Sequence, residues 1–466
     1  MRKLPWTKFQ DFYLRLGFLK VLVAVLSPQR RSEMNESIVR KLQSPTFDPA
    51  WKYASLWQRV SDRFPQKEFV WPEDSSKASK KKNPAVADAL IIDGDCHSYL
   101  SAITGPTAYK IVDWGRNIEF IGRGNQISER GLLLRLLADE RKLEAFTRGN
   151  VDAWNPFVLS PVERMFLLYH LAEIDAVILE LTKDLGALAP GTTVESKDAA
   201  VMTSRALIRV LSAAKDHVQP RDVLKFRTAC ELASTIANEV GEQEFAIELI
   251  GKTRAKPPAP VRPSARQKQL KSSSVPRRAN KNADHQTIPR FEQLVDLGFL
   301  EKSDGSTEST EISAIRRKWR YRTTEACSRW ANSFSGEMHG NLFLWNGFAR
   351  AYLEMSGTKS SEHVPIEVAA QYLSRSYELV RRQAGYDPLD SVALVGMTMA
   401  IEDGIRIEMV DFHRLMLTIK QNSLLPEHAF FASGNDLDQM FVLLKPGFVE
   451  QVRAKASEIL EKVSKR

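Results

Sequence analysis

Cysteine is scarce in this chain. Its three residues, Cys96, Cys230 and Cys327, stand far apart, with no CxxC pair and no dense His/Cys cluster. That spacing excludes a disulfide framework and a Cys-rich zinc site, and it suits a reducing cytosol. Phosphate-binding and hydrolytic signatures are missing as well: no GxxxxGK[ST], no GxGxxG behind a strand, no GxSxG and no HExxH. Asp93-Gly94-Asp95 lacks the rest of a calcium loop. Glu402-Asp403 reads as a helix end before Gly404, not as half of a nuclease centre. His170 and Glu173 are spaced i,i+3 without a third ligand in range, so they read as ordinary helix residues. No metal, no cofactor and no catalytic residue is expected, and the chain reads as a non-enzyme.

A membrane-length apolar run is also wanting. The run Leu16 to Leu26 follows Arg2 and Lys3, but Lys20 interrupts it, and Ser27-Pro28-Gln29-Arg30-Arg31 stands where a cleavage site would be. A bilayer span takes about 20 apolar residues. The stretch Trp6 to Leu26 therefore reads as a buried helix and not as a signal peptide or anchor. A cytoplasmic location without membrane contact is the expectation.

What the chain does hold is helix-forming sequence and unevenly placed charge. Its 466 residues suffice for two to four domains. A content of 43% hydrophobic and 26% charged residues fits a globular protein. The net charge is +9, yet residues 252–290 alone carry eleven Lys/Arg against one acid, a local +10 that leaves the remainder near −1. Pro257-Pro258 and the serine run inside Lys256 to Ser274 mark this stretch as a linker, expected to be disordered over 252–287. A basic segment of this kind favours a polyanionic partner, although linkers are often basic simply to remain solvated.

Residues 288–334 carry the most organised pattern. Phe291, Leu294, Val295 and Leu297 recur at helical spacing, Gly298 is placed to stop that helix, and Phe299-Leu300 opens a strand. Ser303 to Ser313 reads as a polar hairpin loop, Arg320 to Thr323 as the returning strand, and Thr324 as the N-cap of a further helix. This order resembles the second half of a winged-helix domain: recognition helix, strand, wing, strand, closing helix. The resemblance implies a helix laid in the DNA major groove and a wing against the backbone. It makes Gln286, Arg290 and Gln293 the groove-facing candidates, and Arg316, Arg317, Lys318, Arg320 and Arg322 the phosphate contacts. The family places two helices directly before the recognition helix, where this chain has the linker. Either those helices lie further upstream, with the linker inserted, or the domain is incomplete. Glu308 and Glu311 in the wing would repel phosphate, which favours a protein-binding role for this copy.

A second stretch, Ala85 to Leu137, follows the same order. Ala85–Ile92 and His97–Ile103 read as helices, Thr104-Gly105-Pro106 as a turn, and Thr107–Trp114 as a short recognition helix stopped by Gly115. Asn117–Ile121 would be a strand, Gly122 to Asn125 a tight wing, and Gln126-Ile127 the return, with Ser128 capping the next helix and Gly131 in its first turn. Thr324 and Cys327 take the places of Ser128 and Gly131 in the other copy. DNA-facing candidates here are Thr107, Lys110 and Arg116, with Arg123 on the wing.

The rest reads as helix. Phe47 to Trp71 is an aromatic-rich stretch that suits the core of a small helical subdomain within residues 1–72. Ser160-Pro161-Val162-Glu163 is a capping box that opens a strongly apolar helix through Gly186, within a helical strut region over 155–251. Beyond Phe334 come helices over Leu342–Glu354, Ile366–Gln383, Leu389–Ile401 and Glu408–Gln421. A hairpin of Ala429–Ala432 with Met440–Leu444, a third wing-like element, and a last helix over Val449–Ser464 complete a C-terminal domain spanning 340–466. The expectation is a mostly α chain with small β-wings, its two winged-helix modules (85–150 and 288–334) joined by helical bundles. It would bind double-stranded DNA as a regulator or as the recognition subunit of a larger complex. The alternative is a protein–protein interaction scaffold with a protein partner or a homo-oligomeric state.

Overall fold

The computed structural model describes residues 15–26, 114–120, 127–137, 158–215, 218, 220, 223–250, 281–304, 319–333, 347–357, 364–381, 387–432 and 440–464. Of these residues 73% are helical and 7% are in strands, which makes the protein mostly α with small antiparallel sheets. The chain divides into two compact units, one formed by residues 1–15 and 170–323, the other by residues 16–169 and 324–466.

In the first unit, α4 (Ala176–Gly186), β1 (Thr193–Glu195), α5 (Ser196–Ala214), α6 (Val223–Val240), α7 (Gln243–Ile250), α8 (Lys281–Asp296), β2 (Leu300–Asp304) and β3 (Trp319–Thr323) follow one another. The second unit contains α1 (Gly17–Leu26), α2 (Glu129–Leu137), α9 (Glu325–Ser333), α10 (Phe348–Met355), α11 (Ile366–Val380), β4 (Asp387–Pro388), α12 (Leu389–Glu402), α13 (Met409–Gln421), β5 (Ala429–Ala432), β6 (Met440–Leu443), α14 (Phe448–Ala454) and α15 (Ala456–Ser464). Helix α3 (Pro161–Ile174) crosses the division, which falls after Tyr169.

The two sheets have one topology. Strand β3 lies between β1 and β2 in the first, and β6 lies between β4 and β5 in the second, all pairs antiparallel. In each, a helix and a short strand come first, helices follow, and a hairpin closes the sheet with its second strand in the centre. The division departs from the boundaries drawn along the sequence. β1 belongs to the region read as a helical strut, and α9, read as the closing helix of 288–334, sits in the other unit.

Local signals account for many element ends. Ser160 Oγ accepts the Glu163 N–H (3.2 Å) while the Glu163 carboxylate accepts the Ser160 N–H (2.8 Å), a reciprocal box that opens α3. The apolar run thought to continue to Gly186 is broken at Asp175, whose carboxylate accepts the Val177 N–H and starts α4. Gly298, at φ 81°, stops α8: its N–H reaches Val295 O and the Phe299 N–H reaches Leu294 O.

Two expectations about helix limits need correction. α8 starts at Lys281, inside the stretch read as linker, and it carries Pro289 in its interior. The proline removes one helical donor, and the helix persists because most of its length is buried, packed on α5, α6 and β2. Asn117–Ile121 is not a strand over the part described. Residues 114–117 are helical and include Gly115. The stop comes at Glu119 (φ 64°), with Phe120 N–H bonded to Gly115 O and Glu119 N–H to Arg116 O.

Second-unit packing centres on Phe348, whose ring lies 5.3 Å from Tyr169 and 5.4 Å from Trp330, both edge-on. Glu408 joins two helices there. It forms a capping box with Asp411 at the start of α13, and its carboxylate also accepts the Ala349 and Arg350 N–H groups at the start of α10 (3.0 and 3.1 Å). Burial pushes that carboxyl above the usual glutamate range. A buried ion pair, Lys20 with Glu163 at 2.9 Å, ties α1 to α3.

Candidate nucleic-acid interface

The groove-facing expectation fails for the helix α8. Gln286, Arg290 and Gln293 are all buried, Arg290 with no exposed surface at all. Arg290 Nε and Nη2 donate to the two oxygens of Asp175 (2.8 and 3.3 Å), and Nη1 donates to the Gln286 carbonyl and side-chain oxygens. The guanidinium thus couples α8 to the capping residue of α4. Burial raises the Asp175 carboxyl, and Arg290 pulls against that rise. The helical spacing of Phe291, Leu294, Val295 and Leu297 was legible as one apolar face. That most of the rest of the helix is also buried depends on α5 and α6, between 41 and 100 positions away, which no local period records.

Arg320 and Arg322 do lie on the exposed face of β3, but each meets a glutamate across the sheet. Arg320 is in register with Glu195 (Nη2–Oε1 3.6 Å) and Arg322 with Glu301 (Nε–Oε2 2.9 Å). Such cross-strand pairs offset the positive field that a phosphate would meet. On the opposite face, the buried Tyr321 hydroxyl donates to Glu292 (2.9 Å), which also pairs with Lys302 at 2.7 Å. Burial and the Glu292 charge hold the Tyr321 hydroxyl well above its ordinary range.

Arg116 is half-buried in the 114–117 turn, and burial lowers its guanidinium from the usual value. Thr107, Lys110, Arg123, Arg316, Arg317 and Lys318 lie outside the described residues. The Ser128/Thr324 parallel has a clear geometry. Ser128 Oγ accepts the Gly131 N–H at 3.2 Å and donates to Glu119 O, and Thr324 Oγ1 accepts the Cys327 N–H at 3.3 Å. A side chain on Gly131 would place its Cβ 2.5 Å from the Phe120 carbonyl oxygen, which is why glycine stands there.

What the sequence reading undervalued is the C-terminal assembly α11–β4–α12–α13–β5–β6. Its third helix, unlike α8, keeps an outward face: Arg414, Lys420 and Gln421 are exposed, while Phe412, Leu415, Met416 and Ile419 are buried. The buried His413 secures α13 to α12. Its Nδ1 donates to Met409 O (2.8 Å), and Nε2 lies 2.6 Å from Asp390 Oδ1. The available signals were the 3–4 spacing of those buried residues and the Glu408/Asp411 box. Neither reveals that β4, two residues long, completes a sheet.

Among the described residues no group of three or more His, Cys, Asp and Glu side chains could hold a metal ion. Burial pushes the Cys230 thiol up to about 11 and Cys327 to about 12, which keeps both protonated and unreactive at neutral pH. No described helix is long and apolar enough to cross a membrane.

The class that fold and site define is a mostly α protein carrying two small antiparallel sheets of one topology, one with a polar outward third helix. No known family, curated protein or solved structure matches the chain.

Proposed function

We propose that the chain is a non-catalytic double-stranded DNA-binding protein built on winged-helix modules, acting as a regulator or as the recognition subunit of a larger complex. The observation that carries this reading is the repeated order of helix, short strand, helices and hairpin with the last strand central, found in both units. The C-terminal copy, not the 281–323 copy, offers a helix face able to meet DNA, through Arg414, Lys420 and Gln421. Charge placement adds to it. Residues 1–83 hold seventeen Lys/Arg against eight acids and residues 252–290 hold eleven against one; with a chain total of +9, everything else is net −10. Attraction to phosphate therefore comes from the basic segments, and the helix face would supply register.

Fluorescence anisotropy of a labelled random duplex, titrated at several salt concentrations, tests the proposal. Six neutralised phosphates give a slope of about −5 in log K against log salt. Arg414→Ala with Lys420→Ala lowers affinity, and replacing Arg316, Arg317 and Lys318 by Ala weakens binding alike at every sequence. Absence of binding at about 50 mM salt sinks the reading.

One set of observations favours a second reading, an interaction scaffold. Gln286, Arg290 and Gln293 of α8 are buried and Arg320 and Arg322 are matched by glutamates, so the described candidates of the first copy are not free to read DNA. On that reading the protein binds no DNA in a salt-sensitive way and co-purifies with a protein partner.

A further inference from the structure

The two sheets share a topology but not an outer face. In the first, the outward positions hold Thr193, Glu195, Glu301, Arg320 and Arg322, with arginines set against glutamates in register. This face is suited to water. In the second, the central strand turns Phe441 outward, 41% exposed. Half-buried Pro388 stands across from it in register, and half-buried Leu443 follows two residues on. The register positions opposite Phe441 and Leu443 belong to Phe431 and Ala429. Lys445, exposed, ends the row. One chain thus contains both a solvent-adapted and an apolar version of the same surface, and the apolar version has no polar residue at these positions until Lys445.

We propose that the outer face of the β4–β6–β5 sheet docks a short amphipathic segment of a partner protein, with apolar side chains over Phe441, Pro388 and Leu443 and a carboxylate at Lys445. Size selects this occupant. Two strands of four residues and one of two present roughly 160 Å² at ordinary strand spacing and rise. A stable association of two globular surfaces buries about 800 Å² per partner. The patch is too small for a second copy to be held by it alone, and it suits a peptide with two or three anchors. The cation at its end, Lys445, selects an acidic terminus for the apolar row. The proposal does not depend on DNA binding, because the row lies on the face of β6 opposite buried Met440 and Val442.

The test pans a displayed library of about twelve-residue random peptides against the full-length protein. Enriched peptides should carry large apolar residues on one side and an acid at one end. A synthetic copy should bind roughly tenfold more weakly to Phe441→Ser. Lys445→Glu should weaken the same peptide, and exchanging the peptide's acid for lysine should restore binding to that variant. Four results overturn the proposal. One is failure to enrich any peptide that depends on Phe441. Another is a several-degree fall in melting temperature in Phe441→Ser, which would mean that a segment of this chain covers the face. The others are a concentration-dependent dimer abolished in that variant, and single-stranded DNA binding abolished with it.

Discussion

Arg290 shows how a residue's type can mislead about its role. An arginine in a helix before a basic wing suggests a phosphate contact, yet here the guanidinium has no exposed surface and is bound to Asp175 and Gln286. Removing one member of such an enclosed pair strands the other, at a cost of about 3–5 kcal/mol. Arg290→Ala should therefore destabilise the first unit by that amount in urea unfolding. The double change Asp175→Leu with Arg290→Met should recover most of the loss, because no unpaired charge remains. A double variant as unstable as the single one would mean that the pair contributes beyond offsetting its own burial.

At the scale of elements, His428 joins three of them. Its Nδ1 accepts the Lys445 N–H just after β6 (3.1 Å), its Nε2 donates to Gln451 on α14 (3.1 Å), and it immediately precedes β5. Both bonds require the neutral ring with the proton on Nε2. Burial holds its pKa below the ordinary 6.5, with the Gln451 bond and Glu427 acting in the opposite direction. The native state then binds fewer protons than the unfolded chain. The contribution to stability is complete above the unfolded value and is lost as pH falls through it toward the native pKa. Melting curves between about pH 8 and 5 should show the wild type losing more stability on acidification than His428→Asn, near the His reference value. Parallel curves would mean that the ring does not stay neutral in the fold. The same scale shows how punctuation works. Gly298 stops α8 by the local rule, whereas Gly115 does not stop its helix and Glu119 takes the left-handed position instead.

For the whole molecule, charge is segregated along the chain. Residues 1–83 and 252–290 carry the positive excess, and the remainder is net −10. If DNA binding depends on these segments, replacing the nine Lys/Arg of residues 252–280 by Gln should flatten the salt dependence, by about 0.9 for each phosphate no longer neutralised. An unchanged slope would assign the phosphate contacts to residues outside 252–280. The net acidity of the rest also bears on the second sheet. A protein that carries excess negative charge outside these two segments yet leaves Phe441 and Lys445 together on one face has a surface with its own specificity.

Local signals in the sequence determined which segments became helices, where several begin, and the hairpins of β2–β3 and β5–β6. Caps such as Ser128, Ser160 and Thr324, the stop at Gly298, and 3–4 apolar spacing act within one or two turns, so they can be read without knowing the fold. Tertiary structure alone decided which helix keeps a face toward solvent. α8 and α13 stand in the same place before their hairpins, yet α8 is enclosed by α5, α6 and β2, while α13 keeps Arg414, Lys420 and Gln421 exposed. Tertiary structure also recruited β1 and β4, strands of three and two residues whose pairing partners lie far along the chain. Strands that short carry no periodicity of their own, and only the hydrogen bonds of the completed sheet define them.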